Sequence, residues 1–461
     1  MLGRSSNRSR LGLFGILVGA LLAGCAGAPP PGNQTVFPYE VAGDVEEAWI
    51  ITHNANGNVL ASQALAGTGE VTLAAAEDGF VTLAVRDTWN EGDATKRAVH
   101  LVSYPTSAVK NRTLVFAHWP WLKPSGYRSV TIRATCPPGA AKIVVRGHFS
   151  RWDQPCTGDT ERVFESIRAD YLANRDDGQL GVVLWAFDEE DRPTHVAVIE
   201  AFDPNEVLEV GPDAWSDAIA YSELRITYPS AEEAAAHTGA TTIYARAHGG
   251  WYSIDHPGDE TTEYEGRTII HREPFGPLSR VDEAILWYWS TKYFEPYIEG
   301  ADSILPRRES SIPETVELNE SAFAPYPEYV DWNEQGGRIW VQARVRPPEG
   351  TRPTYHEAIV YARKGNEERQ WTLVLFGDHR DGAVFPELPS DLAELAPAKA
   401  DAEQAFVEFD AGTFRWYQAM EAPELSVAAD PPWYVLRWKY VVGTARSQTL
   451  GTPYRLPKVR P

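Results

Sequence analysis

Sulfur-bearing residues are scarce in this 461-residue chain, which has only three cysteines and two methionines. The short signatures of several enzyme classes are absent as well. The sequence contains no C-x-x-C pair, no H-E-x-x-H, no G-x-S-x-G elbow, no P-loop and no dinucleotide-binding glycine motif. The cysteines therefore lack the spacing of a redox centre or a zinc site, and we predict no cofactor and no bound metal.

Basic residues are in the minority. Lysine and arginine number 42 against 64 aspartates and glutamates, so the formal charge is −22. A strongly acidic surface repels the phosphates of nucleic acids and the headgroups of anionic lipids. We expect no nucleic-acid partner, and attachment to a membrane must use something other than surface charge.

Long apolar runs are confined to the N-terminus. A basic segment, residues 1–10, precedes the apolar run "LGLFGILVGALLA" at residues 11–23. This run is too short to span a bilayer as a permanent helix, but the layout is typical of an export signal. We expect the segment to be removed from the mature protein.

The residues that end this run, Leu22-Ala23-Gly24-Cys25, resemble the lipobox of bacterial lipoproteins. The resemblance implies that residues 1–24 are cleaved off, that Cys25 carries lipid such as palmitate, and that the new N-terminus is acylated. Ala26 stands where an aspartate would mark retention in the inner membrane. The resemblance therefore implies a lipid anchor in the bacterial cell envelope, in the outer membrane, with the body in the periplasm or at the cell surface. The alternative is an ordinary signal peptide that happens to contain a cysteine.

The two other cysteines, Cys136 and Cys156, form an even pair. In an exported protein such thiols are expected to join in a disulfide. A bridge of this span stabilises the fold by about 3 kcal/mol because it restricts the unfolded chain. Removal of residues 1–24 also takes away three arginines and no acid, so the formal charge moves from −22 to −25.

The body of the chain has the composition of β-strands. Short segments rich in β-branched and aromatic residues, such as "VTLAVRD" and "YVLRWKYVV", alternate with turn formers such as "NANG" and "RDDG". Helical patterns are few, the best being at residues 230–237 and 390–406, and Pro397 would break the second. The sequence predicts an all-β protein.

Internal repetition suggests how the strands are grouped. "IVVRGHF" at 143–149 and "IYARAHG" at 243–249 lie 100 residues apart, and each is followed by a tryptophan strand, "VVLWAF" at 182 and "AILWYW" at 284. This spacing predicts tandem immunoglobulin-like β-sandwich modules in a row, with chance similarity as the alternative. We predict a signal peptide over 1–24, the lipidated cysteine and a flexible tether over 25–36, module 1 over 37–121, module 2 over 127–215, module 3 over 220–300, a linker over 301–329, a β-rich module 4 over 330–450 and a tail over 451–461.

The repeated Arg-x-His is the first candidate binding feature. Residues two apart on a strand share a face, so Arg146 lies beside His148 in one copy and Arg246 beside His248 in the other. One interpretation is a small anion site with a guanidinium and an imidazole as donors. The other is a solvated sheet face.

The segment 248–260, "HGGWYSIDHPGDE", holds the densest cluster of reactive side chains. Asp255 and His256, with Asp259 and Glu260, offer a metal site or a hydrolytic centre with Ser253 as alternatives to an ordinary polar loop. Turns such as "NRDDGQ" at 174 offer calcium ligands but also form ordinary hairpins. A glycosidase-like pair of carboxylates also stays open.

Tryptophan is abundant, with 16 residues. Trp185 and Trp287 are expected to fill the core of their modules. Five others lie in predicted loops: Trp119, Trp121, Trp215, Trp251 and Trp433. Exposed rings could stack on sugars or anchor a protein, whereas burial between adjacent modules is the alternative.

Taken together, these patterns predict a membrane-anchored lipoprotein that acts by binding or spacing and not as an enzyme. Its partners are the membrane, through the lipid, and an envelope protein or glycan. An envelope hydrolase is the competing hypothesis, and it predicts a concave pocket that gathers histidines and carboxylates. A carbohydrate-binding array is the third, and it predicts coplanar exposed rings.

Overall fold

The computed structural model describes residues 34–43, 45–91, 94–123, 128–148, 150–157, 161–257, 262–294, 299–327, 329–400, 402–419 and 422–442. The predicted signal peptide, Cys25, most of the tether, Asp259, Glu260 and the tail lie outside these residues. Strands dominate the described chain, and the all-β prediction is confirmed. Within the described part of the chain, no helix has the length and apolar character needed to cross a membrane.

We group the strands by the predicted module bounds, and one short helix lies in each of modules 1, 3 and 4. Module 1 contains β1 (Gln34–Val41), β2 (Glu47–His53), β3 (Val59–Leu65), β4 (Thr68–Ala74), β5 (Phe80–Glu91), β6 (Ala94–Pro105), α1 (Thr106–Val109), β7 (Thr113–Phe116) and β8 (Trp121–Lys123). Module 2 contains β9 (Ser129–Thr135), β10 (Lys142–Arg146), β11 (Arg151–Pro155), β12 (Glu161–Arg168), β13 (Ala173–Asn174), β14 (Leu180–Phe187), β15 (Pro193–Phe202) and β16 (Leu208–Val210).

The second half of the chain continues this series. Module 3 contains β17 (Ala220–Thr227), α2 (Ala231–Ala235), β18 (His237–Ala247), β19 (Gly250–Ser253), β20 (Thr262–Glu265), β21 (Thr268–Phe275) and β22 (Glu283–Phe294), followed by β23 (Glu299–Glu309) and β24 (Thr315–Asn319). Module 4 contains β25 (Tyr329–Gln335), β26 (Arg338–Arg344), β27 (Tyr355–Lys364), β28 (Glu367–Phe376), β29 (Gly382–Val384), β30 (Gln404–Gly412), α3 (Trp416–Ala419) and β31 (Tyr434–Val442).

Modules 1, 2 and 3 share one strand order. In each, the first strand pairs antiparallel with a strand in the middle of the module and parallel with a late one: β1 with β4 and β7, β9 with β12 and β16, β17 with β21 and β24. The second strand lies in the facing sheet, for example in the order β11-β10-β14-β15. This order differs from that of immunoglobulin constant domains, in which the first two strands are neighbours.

The modules are not separate units in a row. Four strands of module 3, four of module 4 and four of module 1 form one twelve-stranded sheet, β19-β18-β22-β23-β31-β30-β27-β28-β6-β5-β2-β3. Modules 3 and 4 join where β23 pairs antiparallel with β31, and modules 4 and 1 join where β28 pairs parallel with β6. The modules predicted in a row are therefore joined through a continuous sheet, because free strand edges of distant segments complete each other's hydrogen bonds.

Two boundaries of the prediction also need correction. The predicted linker over 301–329 contains β24 and most of β23, which is central in the long sheet, so module 3 extends beyond residue 300. Residues 34–36 of the predicted tether already belong to β1. The candidate helix over 390–406 is broken as expected at Pro397: the segment holds a single 3-10 turn, Ala393–Leu395, followed by β30.

The hydrophobic cores run through and between the modules. Alternate residues of β10 face opposite ways: Ile143 and Val145 pack in the sandwich of module 2, whereas Val144 packs with Trp185 in a core shared with module 3. Trp287 lies in another core, which module 3 shares with module 4. Both tryptophans are buried as expected, but between modules and not inside their own sandwiches.

The predicted disulfide is present. Cys136 and Cys156 are bonded, with their Cα atoms 6.1 Å apart. Cys136 follows β9 in one sheet of module 2, and Cys156 follows β11 in the other. The bridge therefore ties the two sheets of this module together.

Candidate functional site

Arg146, predicted to lie on a solvated face or in an anion site, is buried where module 2 packs on module 3. Its Nη2 donates to Asp255 Oδ2 at 2.5 Å, and the two side chains are 13% and 5% exposed. Ser253 Oγ donates to the other oxygen of Asp255 at 2.9 Å. Arg146 and Asp255 thus join the two modules, while Nε of Arg146 is buried without a hydrogen-bond partner among the described residues.

His256 belongs to a second buried pair in the same region. Its backbone N and its Nδ1 lie 3.0 and 2.8 Å from Glu273 Oε1, and His271 Nε2 lies 3.0 Å from Glu273 Oε2. Burial opposes ionisation of Glu273, but the hydrogen bonds from the two histidines outweigh it and lower its pKa. His256 is therefore engaged in an internal network with Glu273 and His271.

His248 and Gly249 form the two-residue turn of the β18–β19 hairpin. Both have positive φ, 50° and 79°, as this hairpin turn requires. A Cβ at Gly249 would lie 2.4 Å from Asp176 Oδ2, so the turn packs closely on module 2. His248 Nε2 lies 3.0 Å from Glu200 Oε2 of that module. Arg246 and His248 take different partners and do not form a joint anion site.

A cavity of about 380 Å³ opens where modules 2, 3 and 4 meet, and we call it the junction cleft. Its volume is within the range of small-molecule sites, roughly 300 to 1,000 Å³. Ten residues line it: His148, Leu172, Asn174, Asp176, Arg246, Gly249, Trp251, Glu283, Arg308 and Glu424. Three of the sequence-predicted site residues, His148, Arg246 and Trp251, thus meet in one place.

One wall of the cleft is a row of side chains across neighbouring strands. Trp251 on the edge strand β19 is directly opposite Arg246 on β18, which is directly opposite Glu283 on β22. Side chains at opposed positions share a face of the sheet. Arg246 Nη1 lies 3.1 Å from Glu283 Oε1, and Arg308 Nη1 on β23 lies 3.6 Å from Glu283 Oε2. A single carboxylate thus holds two guanidinium groups at the cleft.

His148 also lines the cleft. It is 2% exposed, and its Nδ1 has no hydrogen-bond partner among the described residues. Burial, together with the charge of Arg146, lowers the pKa of His148 to about 4. The imidazole is therefore neutral at physiological pH, with one nitrogen as donor and the other as acceptor.

The other loop tryptophans do not form an array of exposed rings. Trp433 is buried and donates to Thr351, and Trp215 donates to the carbonyl of Thr135 at 2.8 Å. Arg168 lies over the ring of Trp121. Trp119 is 38% exposed beside His100. Trp251, half-buried, is the loop tryptophan that lines the cleft.

A cluster of carboxyl groups lies on the twelve-stranded sheet, on strands β23, β27 and β30: Asp302, Glu357, Glu408 and Asp410. The hydroxyls of Tyr355 and Tyr434 donate to Glu357 and Asp410. Desolvation, with the nearby charges of Glu357 and Asp302, raises the pKa of Glu408 to about 8. Across the described residues, no group of three or more histidine, cysteine, aspartate or glutamate side chains is arranged to hold a metal ion.

Sequence reasoning predicted three of the ten residues that line the cleft as site residues and missed the other seven. Glu283 starts the tryptophan strand of module 3, Arg308 lies in the predicted linker, and Asp176 lies in a turn considered for calcium. In the structure that turn is a hairpin in which Gln179 N and the Arg175 guanidinium donate to Asp177. The sequence repeat could have indicated that Arg246 and Glu283 are close, since both lie on strands that belong to the repeat. No sequence pattern indicated that Glu424 would line the cleft.

No family model matches the chain, and no curated protein matches it. Among solved structures, the Bacillus anthracis TIE protein is 10% identical, covering 82% of this chain and 62% of its own length, with a TM-score of 0.13. A "putative adhesin" from Bacteroides ovatus ATCC 8483 is 8% identical, covering 68% of this chain and 94% of its own, with a TM-score of 0.14. A second from Bacteroides ovatus is 9% identical, with coverage of 68% and 96% and a TM-score of 0.12. TM-scores this low do not indicate a common fold, so no property of these proteins is transferred to this chain.

Proposed function

We propose that this protein is a membrane-anchored cell-envelope lipoprotein whose β-sandwich body acts as a binding protein, without catalysis. The single observation that supports binding is the junction cleft, where three modules bring polar and aromatic side chains together around a cavity of about 380 Å³. Ligand sites are commonly found where domains meet.

The contacts of residues 248–257, the described part of the segment 248–260, support a function without catalysis. Asp255 is held by Arg146 and Ser253, and His256 by Glu273, all in a buried interface. A hydrolytic centre needs a nucleophile within hydrogen-bond reach of its base, and a path for substrate. In this segment, the hydroxyl of Ser253 donates its hydrogen bond to Asp255 and not to a histidine that could act as its base.

The lipid anchor rests on the resemblance of residues 22–25 to the lipobox. An acidic chain of formal charge −22 has little attraction for anionic headgroups. A lipidated Cys25 would provide the attachment that the surface does not, as more than one acyl chain gives stable anchoring.

The proposal is tested in two steps. Fractionated cells should hold the intact protein in the membrane fraction, whereas the Cys25→Ala variant should lose that association. The body of the variant should then bind isolated envelopes in a saturable way. Trp251→Ala should weaken this binding at least tenfold, and Trp340→Ala, at an exposed tryptophan on β26, should leave it unchanged. Absence of saturable binding, or equal binding by both tryptophan variants, would overturn the proposed function.

A further inference from the structure

The charges around the junction cleft are of mixed sign. Arg246 and Arg308 carry positive charge, whereas Asp176, Glu283 and Glu424 carry carboxyl groups. A strongly anionic ligand would meet the carboxylates, and a cationic one would meet the two guanidinium groups. A neutral ligand rich in hydroxyl groups avoids both costs, because a hydroxyl donates to a carboxylate and accepts from a guanidinium.

Trp251 adds a flat apolar surface to this polar lining. It stands directly opposite Arg246 across the β18–β19 pair and lines the cleft as a half-buried residue that also packs against the core shared by modules 3 and 4. An aromatic ring offers large contact area with well-defined geometry, and the C–H face of a pyranose is a flat apolar partner of similar width. A ligand that combines such a face with a rim of hydroxyls matches both parts of the cleft.

His148 fits the same chemistry. Its ring is nine-tenths or more buried, lines the cleft, and has a nitrogen without a hydrogen-bond partner in the described chain. A buried polar atom left in this state costs about 1 to 3 kcal/mol. A ligand hydroxyl at this wall would give the neutral imidazole a partner without introducing charge.

We propose that the junction cleft binds a neutral carbohydrate, a mono- or disaccharide unit, with Trp251 against the sugar ring and Arg246, Arg308, Asp176 and His148 around its hydroxyls. This inference rests on the proposed binding function and names the ligand class of the same site. The cavity of about 380 Å³ suits a short sugar and not a long polymer enclosed along its length.

The experiment uses the mature lipoprotein in a detergent that contains no sugar. Titration calorimetry and saturation-transfer NMR are performed with three neutral disaccharides, cellobiose, maltose and diacetylchitobiose. Two charged disaccharides serve for comparison, anionic digalacturonate and cationic chitosan disaccharide. At least one neutral disaccharide should bind, more tightly than either charged one. Trp251→Ala and Arg308→Gln should each weaken its binding tenfold or more. Arg308 is exposed, so that its variant should fold even if Trp251→Ala does not.

The matched control is Trp340→Ala, which removes an exposed tryptophan from a different sheet and should leave binding unchanged. The inference is overturned if no neutral disaccharide binds, if digalacturonate or chitosan disaccharide binds more tightly, or if Arg308→Gln has no effect. Saturable envelope binding that depends on Trp251 but is not displaced by any neutral disaccharide would overturn this inference and leave the proposed function standing. Loss of both kinds of binding would overturn both.

Discussion

At the residue scale, Arg146 shows how far a side chain's partner depends on the assembly of modules. On a strand viewed alone, its face carries an arginine and a histidine, which indicates a solvated surface. The same face also carries Val144, and in the structure module 3 covers it. Asp255 comes from that second module, 109 positions along the chain, to pair with the buried guanidinium.

Removal of one partner of this pair should be strongly destabilising. We expect Arg146→Met to lower the free energy of unfolding by about 3 to 5 kcal/mol, because Asp255 would be left buried without its counter-charge. The double variant Arg146→Met with Asp255→Leu should recover part of the loss, since neither charge is then buried. Urea unfolding of the three proteins measures both effects.

The control is Arg192→Met, which breaks the exposed pair of Arg192 with Asp188. Exposed pairs are worth about 0 to 1 kcal/mol, so this variant should unfold almost like the parent. Equal effects of Arg146→Met and Arg192→Met would show that the Arg146–Asp255 pair does not hold the interface.

At the element scale, the disulfide joins segments that end in opposite sheets of module 2. We expect Cys136→Ser with Cys156→Ser to lower the free energy of unfolding by about 3 kcal/mol, because the unfolded chain regains the freedom of a 20-residue loop. Chemical denaturation of the oxidised parent and of the double serine variant tests this. A parent protein whose midpoint does not respond to reduction would contradict it.

The carboxyl cluster on β23, β27 and β30 makes a second prediction at this scale. The pKa of Glu408 is raised in the folded state to about 8 from an ordinary value of 4.5. The folded protein therefore retains a proton that the unfolded chain loses, and the stabilisation present at low pH is lost as the pH rises towards 8. When the folded state holds one proton more than the unfolded state, the free energy of unfolding falls by about 1.4 kcal/mol per pH unit.

Buried histidines change the stability with pH in the opposite direction and over a different pH range. Burial lowers the pKa of His53, His100 and His148 to about 4 and that of His356 to about 3. Their stabilisation is lost on acidification below 6.5, so the range from pH 6.5 to 8 isolates the carboxyls. In that range the unfolding free energy should fall with pH, and Glu408→Gln should flatten the curve. The exposed Glu70→Gln is the control, and a parent curve that rises with pH in this range would contradict the prediction.

At the scale of the whole molecule, the continuous sheet couples three modules that the sequence suggests are separate. Backbone hydrogen bonds link β23 to β31 and β28 to β6, so the edges of modules 3, 4 and 1 are all paired at these junctions. Module 2 is attached differently, through the core that contains Trp185 and through Arg146. Modules 1, 3 and 4 should therefore behave as one cooperative unit.

Calorimetry of the mature protein checks this expectation. Modules 1, 3 and 4 should melt in a single transition, whose calorimetric enthalpy equals the van't Hoff enthalpy. Limited proteolysis before the transition should not release a stable fragment that contains module 1 alone. Three resolved transitions, or release of such a fragment, would show that the junctions do not transmit cooperativity.

The sequence by itself determined the local features of this protein. Alternating apolar residues and turn formers predicted the strands, the repeat located β10, β14, β18 and β22, and the even cysteine pair predicted the disulfide, because each of these depends on residues close in the chain or on simple pairing. The sequence also predicted His148, Arg246 and Trp251 as candidate binding residues, and all three line the junction cleft.

Only the tertiary structure decided which strand edges join and which faces are covered. Backbone hydrogen bonds between strand edges are the same for any sequence, so no residue pattern in β23 or β31 indicates that the two strands pair. For the same reason Arg308 was assigned to a linker, and Asp176 and Glu424 were unconnected with Trp251 until three modules met. Local patterns specify the strands, whereas the cleft depends on packing between segments hundreds of residues apart.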